Sequence, residues 1–151
     1  MRVLEKEISQ AIQKALGLKV TCRIDLEFAW YDEDNILTFP PYWYDEEIDY
    51  IWADWIKKIF NIEIDHDFCY YLSFLHELGH KITLKNITDE EYYEADRLLQ
   101  DEQEKYYSSK REYVATAWAI RLLINQPEKV EVFHRMIWNA LNNYYERNNI
   151  D

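Results

Sequence analysis

Asp65-His66-Asp67-Phe68-Cys69-Tyr70-Tyr71-Leu72-Ser73-Phe74-Leu75-His76-Glu77-Leu78-Gly79-His80 runs without proline, and without glycine before Gly79. Phe68, Leu72, Leu75 and Leu78 recur at helical spacing, so the segment is expected to form a helix. Apolar over so much of its circumference, that helix reads as central and buried. Asp65 or Asp67 is the expected N-cap, placed to accept a hydrogen bond from an otherwise unpaired backbone N–H. Gly79 costs about 1 kcal/mol relative to Ala inside a helix, which implies that another element approaches closely there. His76 and His80, four positions apart, lie one above the other on one face.

Two imidazoles so placed can grip a single Zn²⁺. Glu77, one step round the helix, is suited to act as general base on a metal-activated water. The competing reading is two histidines on one face of a partly buried helix. A catalytic zinc normally has three protein ligands and one open position, so a further donor must come from elsewhere. His134 lies downstream, but Phe133, Met136, Ile137, Ala140 and Leu141 around it form an amphipathic helix, which favours a helix-surface or core-edge histidine. Glu90, Glu91, Glu94, Asp96, Asp101, Glu102 and Glu104 belong to a highly charged segment that reads as solvated helix. Glu112 differs. It opens the apolar stretch Glu112–Leu123, where Ala115 and Ala119 share its face and let that face pack against the helix carrying Gly79. A carboxylate on an apolar helix needs a partner; a metal ion and the helix dipole at the first turn both meet that need, and spacing leaves the two open.

In these residues the chain resembles the ImmA/IrrE-like zinc peptidases of bacteria and their mobile elements. Members carry HExxH on one helix and, on a later one, Glu-x-x-Ala-Asn-x-Phe-Ala followed by a Leu pair. Here the second element reads Glu112-x-x-Ala115-Thr116-x-Trp118-Ala119 with Leu122 and Leu123 after it, and the resemblance covers about His66 to Leu123. Thr116 replaces the usual Asn and Trp118 the Phe, the acidic insert Asp89–Lys110 has no counterpart, and the Pro often found after the Leu pair is displaced to Pro127. Glu94-Ala95-Asp96-Arg97-Leu98-Leu99 is a decoy, with Tyr92 where the ligand Glu would stand. The resemblance implies a zincin-like fold, Zn²⁺ held by His76, His80 and Glu112, Glu77 as catalytic base, and hydrolysis of a peptide bond. It also implies a protein or peptide substrate, such as a repressor of a mobile element or a stress-response regulator. Tyr70, Tyr113 and His134 are unranked candidates for a second oxyanion donor.

Length and periodicity fill in the rest. A chain of 151 residues buries about two-thirds of its unfolded surface, enough for a single domain without staples. Met1 to Leu18 reads as an amphipathic helix rather than a leader or span. Val20, Cys22, Ile24, Leu26, Phe28 and Trp30 alternate with polar positions as one long half-buried strand, with Asp32–Asn35 the turn and Ile36–Phe39 a short return strand. Further helices are expected over Asp45–Phe60, Asp89–Lys105, from Glu112, and over Pro127–Glu146. The class is α+β, mostly helical with a small antiparallel sheet, and the long strand is the candidate edge for adding a substrate strand. Cys22 and Cys69 sit on apolar faces as reduced thiols, which points to the cytoplasm.

A net charge of −12, from 17 basic and 29 acidic residues, argues against direct nucleic-acid binding. An acidic shell suits a basic partner, mimics DNA toward a DNA-handling enzyme, or simply keeps an aromatic-rich chain soluble. Tyr42-Trp43-Tyr44, after Pro40-Pro41, reads as a loop able to line a peptide cleft. Two alternatives to a peptidase follow. One is an acidic, non-catalytic binding protein that inhibits a DNA-handling enzyme; the other is a structural zinc protein closed by a fourth ligand such as His66 or Cys69. Oligomeric state is not legible in the sequence.

Overall fold

The structure is a computed structural model that describes residues 2–42, 46–98 and 102–148. It is mostly helical with a small sheet, as an α+β chain should be, and separates into two compact units: Met1–Pro41 with Ile120–Asp151, and Tyr42–Ala119. Among the described residues no helix is long and apolar enough to cross a membrane. Trp43 and Tyr44 of the aromatic loop, and Asp45, lie outside the described residues.

The first unit is built on α1 (Val3–Leu16) and α7 (Pro127–Arg147). Leu4, Ile8, Ala11 and Ile12 form the buried stripe of α1, and Val130, Phe133, Ile137, Ala140 and Leu141 that of α7. Both stripes keep helical spacing, and the two helices pack together. Gly17 ends α1 with φ +72, a left-handed C-cap that glycine adopts without steric cost.

The sheet differs from the sequence expectation in two ways. Strands β1 (Thr21–Ile24), β2 (Ala29–Tyr31) and β3 (Ile36–Phe39) run in the order β1-β3-β2, with β3 parallel to β1 and antiparallel to β2. The sheet is therefore mixed rather than antiparallel. The long strand is also broken: Asp25 leaves the ladder after its N–H reaches the Phe39 carbonyl, its side chain accepts from the Leu26 N–H, and Leu26 is 94% exposed. The chain there passes across the end of β3, a manoeuvre invisible to an alternating pattern. Nor does β1 offer a free edge for a substrate strand. Its outward N–H groups at Cys22 and Ile24 donate to Ser9 Oγ and Glu5 Oε2 of α1, at 3.0 and 2.8 Å, which blunts the edge.

In the second unit α2 (Glu46–Phe60) buries Trp52, Trp55 and Ile56 and packs on α3 (His66–Thr83). Ile59, near its C-terminus, is 45% exposed. Helix α3 buries Cys69, Tyr70, Tyr71, Leu72, Phe74, Leu75 and Leu78, which makes it the central element of this unit. Asp65 occupies its N-cap in extended conformation, but its carbonyl rather than its side chain takes the Phe68 N–H. The single charged helix expected over Asp89–Lys105 is instead two short ones, α4 (Asp89–Asp96) and α5 (Gln103–Ser108). Helix α6 (Lys110–Asn125) begins two residues before Glu112 and contributes residues to both units.

Candidate metal centre

Helices α3 and α6 meet at Gly79. A Cβ there would stand 3.0 Å from the carbonyl carbon and the Cα of Ala115, and closer still to its carbonyl oxygen. The missing side chain lets the backbones of α3 and α6 approach closely, directly beside His80. Ala115 and Ala119 are fully buried, as the small residues of a close helix contact must be.

That approach delivers Glu112. Its Oε1 lies 2.9 Å from His76 Nε2 and 3.2 Å from His80 Nε2. Side-chain exposure is 13% for His76, 9% for His80 and 5% for Glu112. Burial pushes the Glu112 carboxyl up, but hydrogen bonds from both imidazoles and their charge outweigh it and hold the group well below the ordinary carboxylate value. Among the described residues His76, His80 and Glu112 form a group able to hold a metal ion, their donor atoms all within 4.8 Å of one another.

The donor set fits a divalent ion. Ligand atoms at about 2.0–2.2 Å from a tetrahedral zinc lie roughly 3.3–3.5 Å apart, so the contacts at 2.9 and 3.2 Å need to open only slightly. His76 Nδ1 lies 2.9 Å from Thr116 Oγ1, whose residue is fully buried. With a metal bound, a proton on Nδ1 donated to that hydroxyl would leave the Nε2 lone pair for the ion, the arrangement a ligating imidazole requires. His80 Nδ1 is buried with no hydrogen-bond partner among the described residues, so that ring is oriented through Nε2 alone. Trp52 closes one side, its ring edge-on to His76 at 5.7 Å.

No family model, curated protein or solved structure matches the chain.

Glu77 follows His76 on α3 and is half-buried. The oxyanion candidates lie in different surroundings. Tyr70 is buried against Tyr71 and Phe74, Tyr113 stacks on Phe60 at 5.5 Å, and His134 sits on α7 in the first unit. Burial raises the Tyr106 hydroxyl pKa, the charges of Glu112 and Glu77 add to the rise, and Arg111 opposes it. His66 meets the ring of Tyr50, and Cys69 donates to the carbonyls of Asp49 and Asp65. Among the described residues neither joins the cluster as a fourth ligand.

Sequence reasoning missed the far side of Glu112. Arg111 Nε donates to Glu112 Oε2 at 2.6 Å, and Arg111 Nη1 donates to Asp96 Oδ1 and the Tyr92 carbonyl at 2.9 and 3.0 Å. Adjacent helix positions do not ordinarily face one another, so spacing gave no sign of the first contact. Asp96 was hidden within the charged segment expected to be solvated. The signal available was Arg111, a basic residue directly before Glu112 at the start of a largely apolar helix.

Proposed function

We propose that the chain is a zinc-dependent peptidase that hydrolyses a peptide bond in a protein regulator, such as a basic DNA-binding repressor of a mobile element. The observation that carries this reading is the convergence of two imidazoles and a buried carboxylate, with Glu77 at the next position of α3. Bound there by His76, His80 and Glu112, zinc would supply a water of lowered pKa and an electrophile for the scissile carbonyl. Thr116 Oγ1, 2.9 Å from His76 Nδ1, is placed to accept a proton from that nitrogen and so to favour the ligating tautomer. Glu77 accepts the proton of the attacking water and returns it to the leaving amine as the C–N bond breaks.

The same residues carry the resemblance to ImmA/IrrE-like peptidases, which supports the reading and suggests the substrate class by association. The net charge of −12 suits a basic partner. That charge also favours a second reading, an acidic binding protein that inhibits a DNA-handling enzyme without chemistry of its own. One comparison separates them. The zinc-loaded chain and its Glu77→Gln variant are incubated with a proteome-derived peptide library, and new N-termini are counted by mass spectrometry. The peptidase reading predicts that the variant binds one zinc per chain yet cleaves about 10²–10⁴-fold more slowly, the usual contribution of a general base. Equal cleavage by both proteins, or none by either, contradicts it.

A further inference from the structure

The two oxygens of Glu112 have different neighbours. Oε1 faces both histidines, whereas Oε2 accepts from Arg111 Nε. Something must draw Arg111 back over its own neighbour, and α4 does so. Asp96 Oδ1 and the Tyr92 carbonyl take Arg111 Nη1, and the Tyr92 ring lies 4.6 Å from the guanidinium carbon. Arg111 is 8% exposed, so its charge is largely desolvated and depends on these partners. Helix α4 is itself secured: Thr88 and Glu91 form a reciprocal capping box, and Lys110 pairs with Glu91 at 2.9 Å.

We propose that Arg111 and Asp96 are positioning residues that leave Glu112 a single free oxygen, so that it serves a divalent ion through Oε1 alone and keeps a position open for water. The proposal rests on the metal reading above. A carboxylate with both oxygens free can clasp a cation bidentately; a buried guanidinium on Oε2 removes that option unless a charge-assisted hydrogen bond breaks. Arginine suits the task because its planar fork reaches Glu112, Asp96 and the Tyr92 carbonyl at once, which a lysine ammonium on a flexible stem does not. The acidic insert, unmatched in the family pattern, thereby acquires a role: one of its carboxylates anchors the residue that aims the third ligand.

The test uses the full chain. Its zinc dissociation constant is measured by competition with a chromophoric chelator, and the visible spectrum of the cobalt-loaded protein is recorded alongside. Arg111→Lys is expected to weaken zinc binding about 10–100-fold and Asp96→Asn about tenfold, within the range for partners that orient ligands. In Arg111→Lys the cobalt bands should lose intensity as Glu112 engages through both oxygens and a fifth donor is added, a change that a purely structural role would not produce. The Asp96 side chain is 53% exposed, so Asp96→Asn keeps the question answerable should Arg111→Lys fold poorly. Wild-type affinity and an unchanged cobalt spectrum in both variants would overturn the proposal. If the parent chain binds no zinc, the metal reading falls with it; if the parent binds, and loses zinc on Glu112→Ala while both variants behave as wild type, the positioning role alone is refuted.

Discussion

Cys22 and Cys69 are buried free thiols, and burial governs their chemistry. It pushes Cys22 up to about 11, with a hydrogen bond from Ser9 opposing and the charge of Glu5 adding to the rise. It pushes Cys69 up to about 12, with Asp49 adding. A folded value above the ordinary 9.0 means that the native state holds the proton more tightly than the unfolded chain. The associated stability is present below that ordinary value and is lost as pH rises toward the folded values. At about pH 8 both thiols should therefore react with a thiolate-selective disulfide reagent far more slowly in the native than in the urea-unfolded chain. Above about pH 9 the urea midpoint should fall. Rapid stoichiometric labelling of the native protein would contradict this. At this scale the shared face of His76 and His80 was legible from helical spacing and the burial of Cys22 and Cys69 from their apolar neighbours, whereas spacing left Glu112 between a metal and the helix dipole. Arg111 and Asp96 were not legible, because their contact depends on how a charged segment folds back, which no local periodicity encodes.

The contact of α3 with α6 turns on Gly79, and here two energies of opposite sign can be compared. Ala in place of Gly inside a helix is worth about 1 kcal/mol. Against it stands the overpacking of a methyl group, about 1–3 kcal/mol where neighbours can adjust and more where they are backbone, as the Ala115 atoms are. Repulsion wins, so Gly79→Ala should lower stability by roughly 1–3 kcal/mol, read as a lower urea midpoint. It should also weaken zinc binding by prising Glu112 from the imidazoles. A variant more stable than the parent, with unchanged zinc affinity, would show that the helices do not meet there. Gly79 was legible as a point of close approach because a glycine among apolar residues has a cost that something must offset. The sheet was less so. Alternation over residues 20–30 identifies residues fit for a strand but not where the chain leaves one strand to cross over another, and Leu26, apolar yet exposed, obeys the alternation without sharing its burial.

Among the described residues the positions of α1, α2, α3, α6 and α7 followed from periodicity with boundaries within a few residues, and the α+β class followed with them, whereas the charged segment from Asp89 split into two short helices. Sheet order did not, because parallel pairing of β1 with β3 is set by a crossover rather than by either strand's own residues. What unites the second unit is a site assembled from α3, α4 and α6, in which a charged insert secures an arginine, the arginine secures a carboxylate, and the carboxylate meets two imidazoles. X-ray absorption at the zinc edge of the loaded chain, with metal content measured on the same sample, addresses that assembly directly. The expected result is one zinc per chain with two imidazole nitrogens and oxygen donors at about 2.0–2.2 Å, and no sulfur. Substoichiometric zinc, or a shell containing thiolate at about 2.3 Å, would show that His76, His80 and Glu112 do not form the metal centre described.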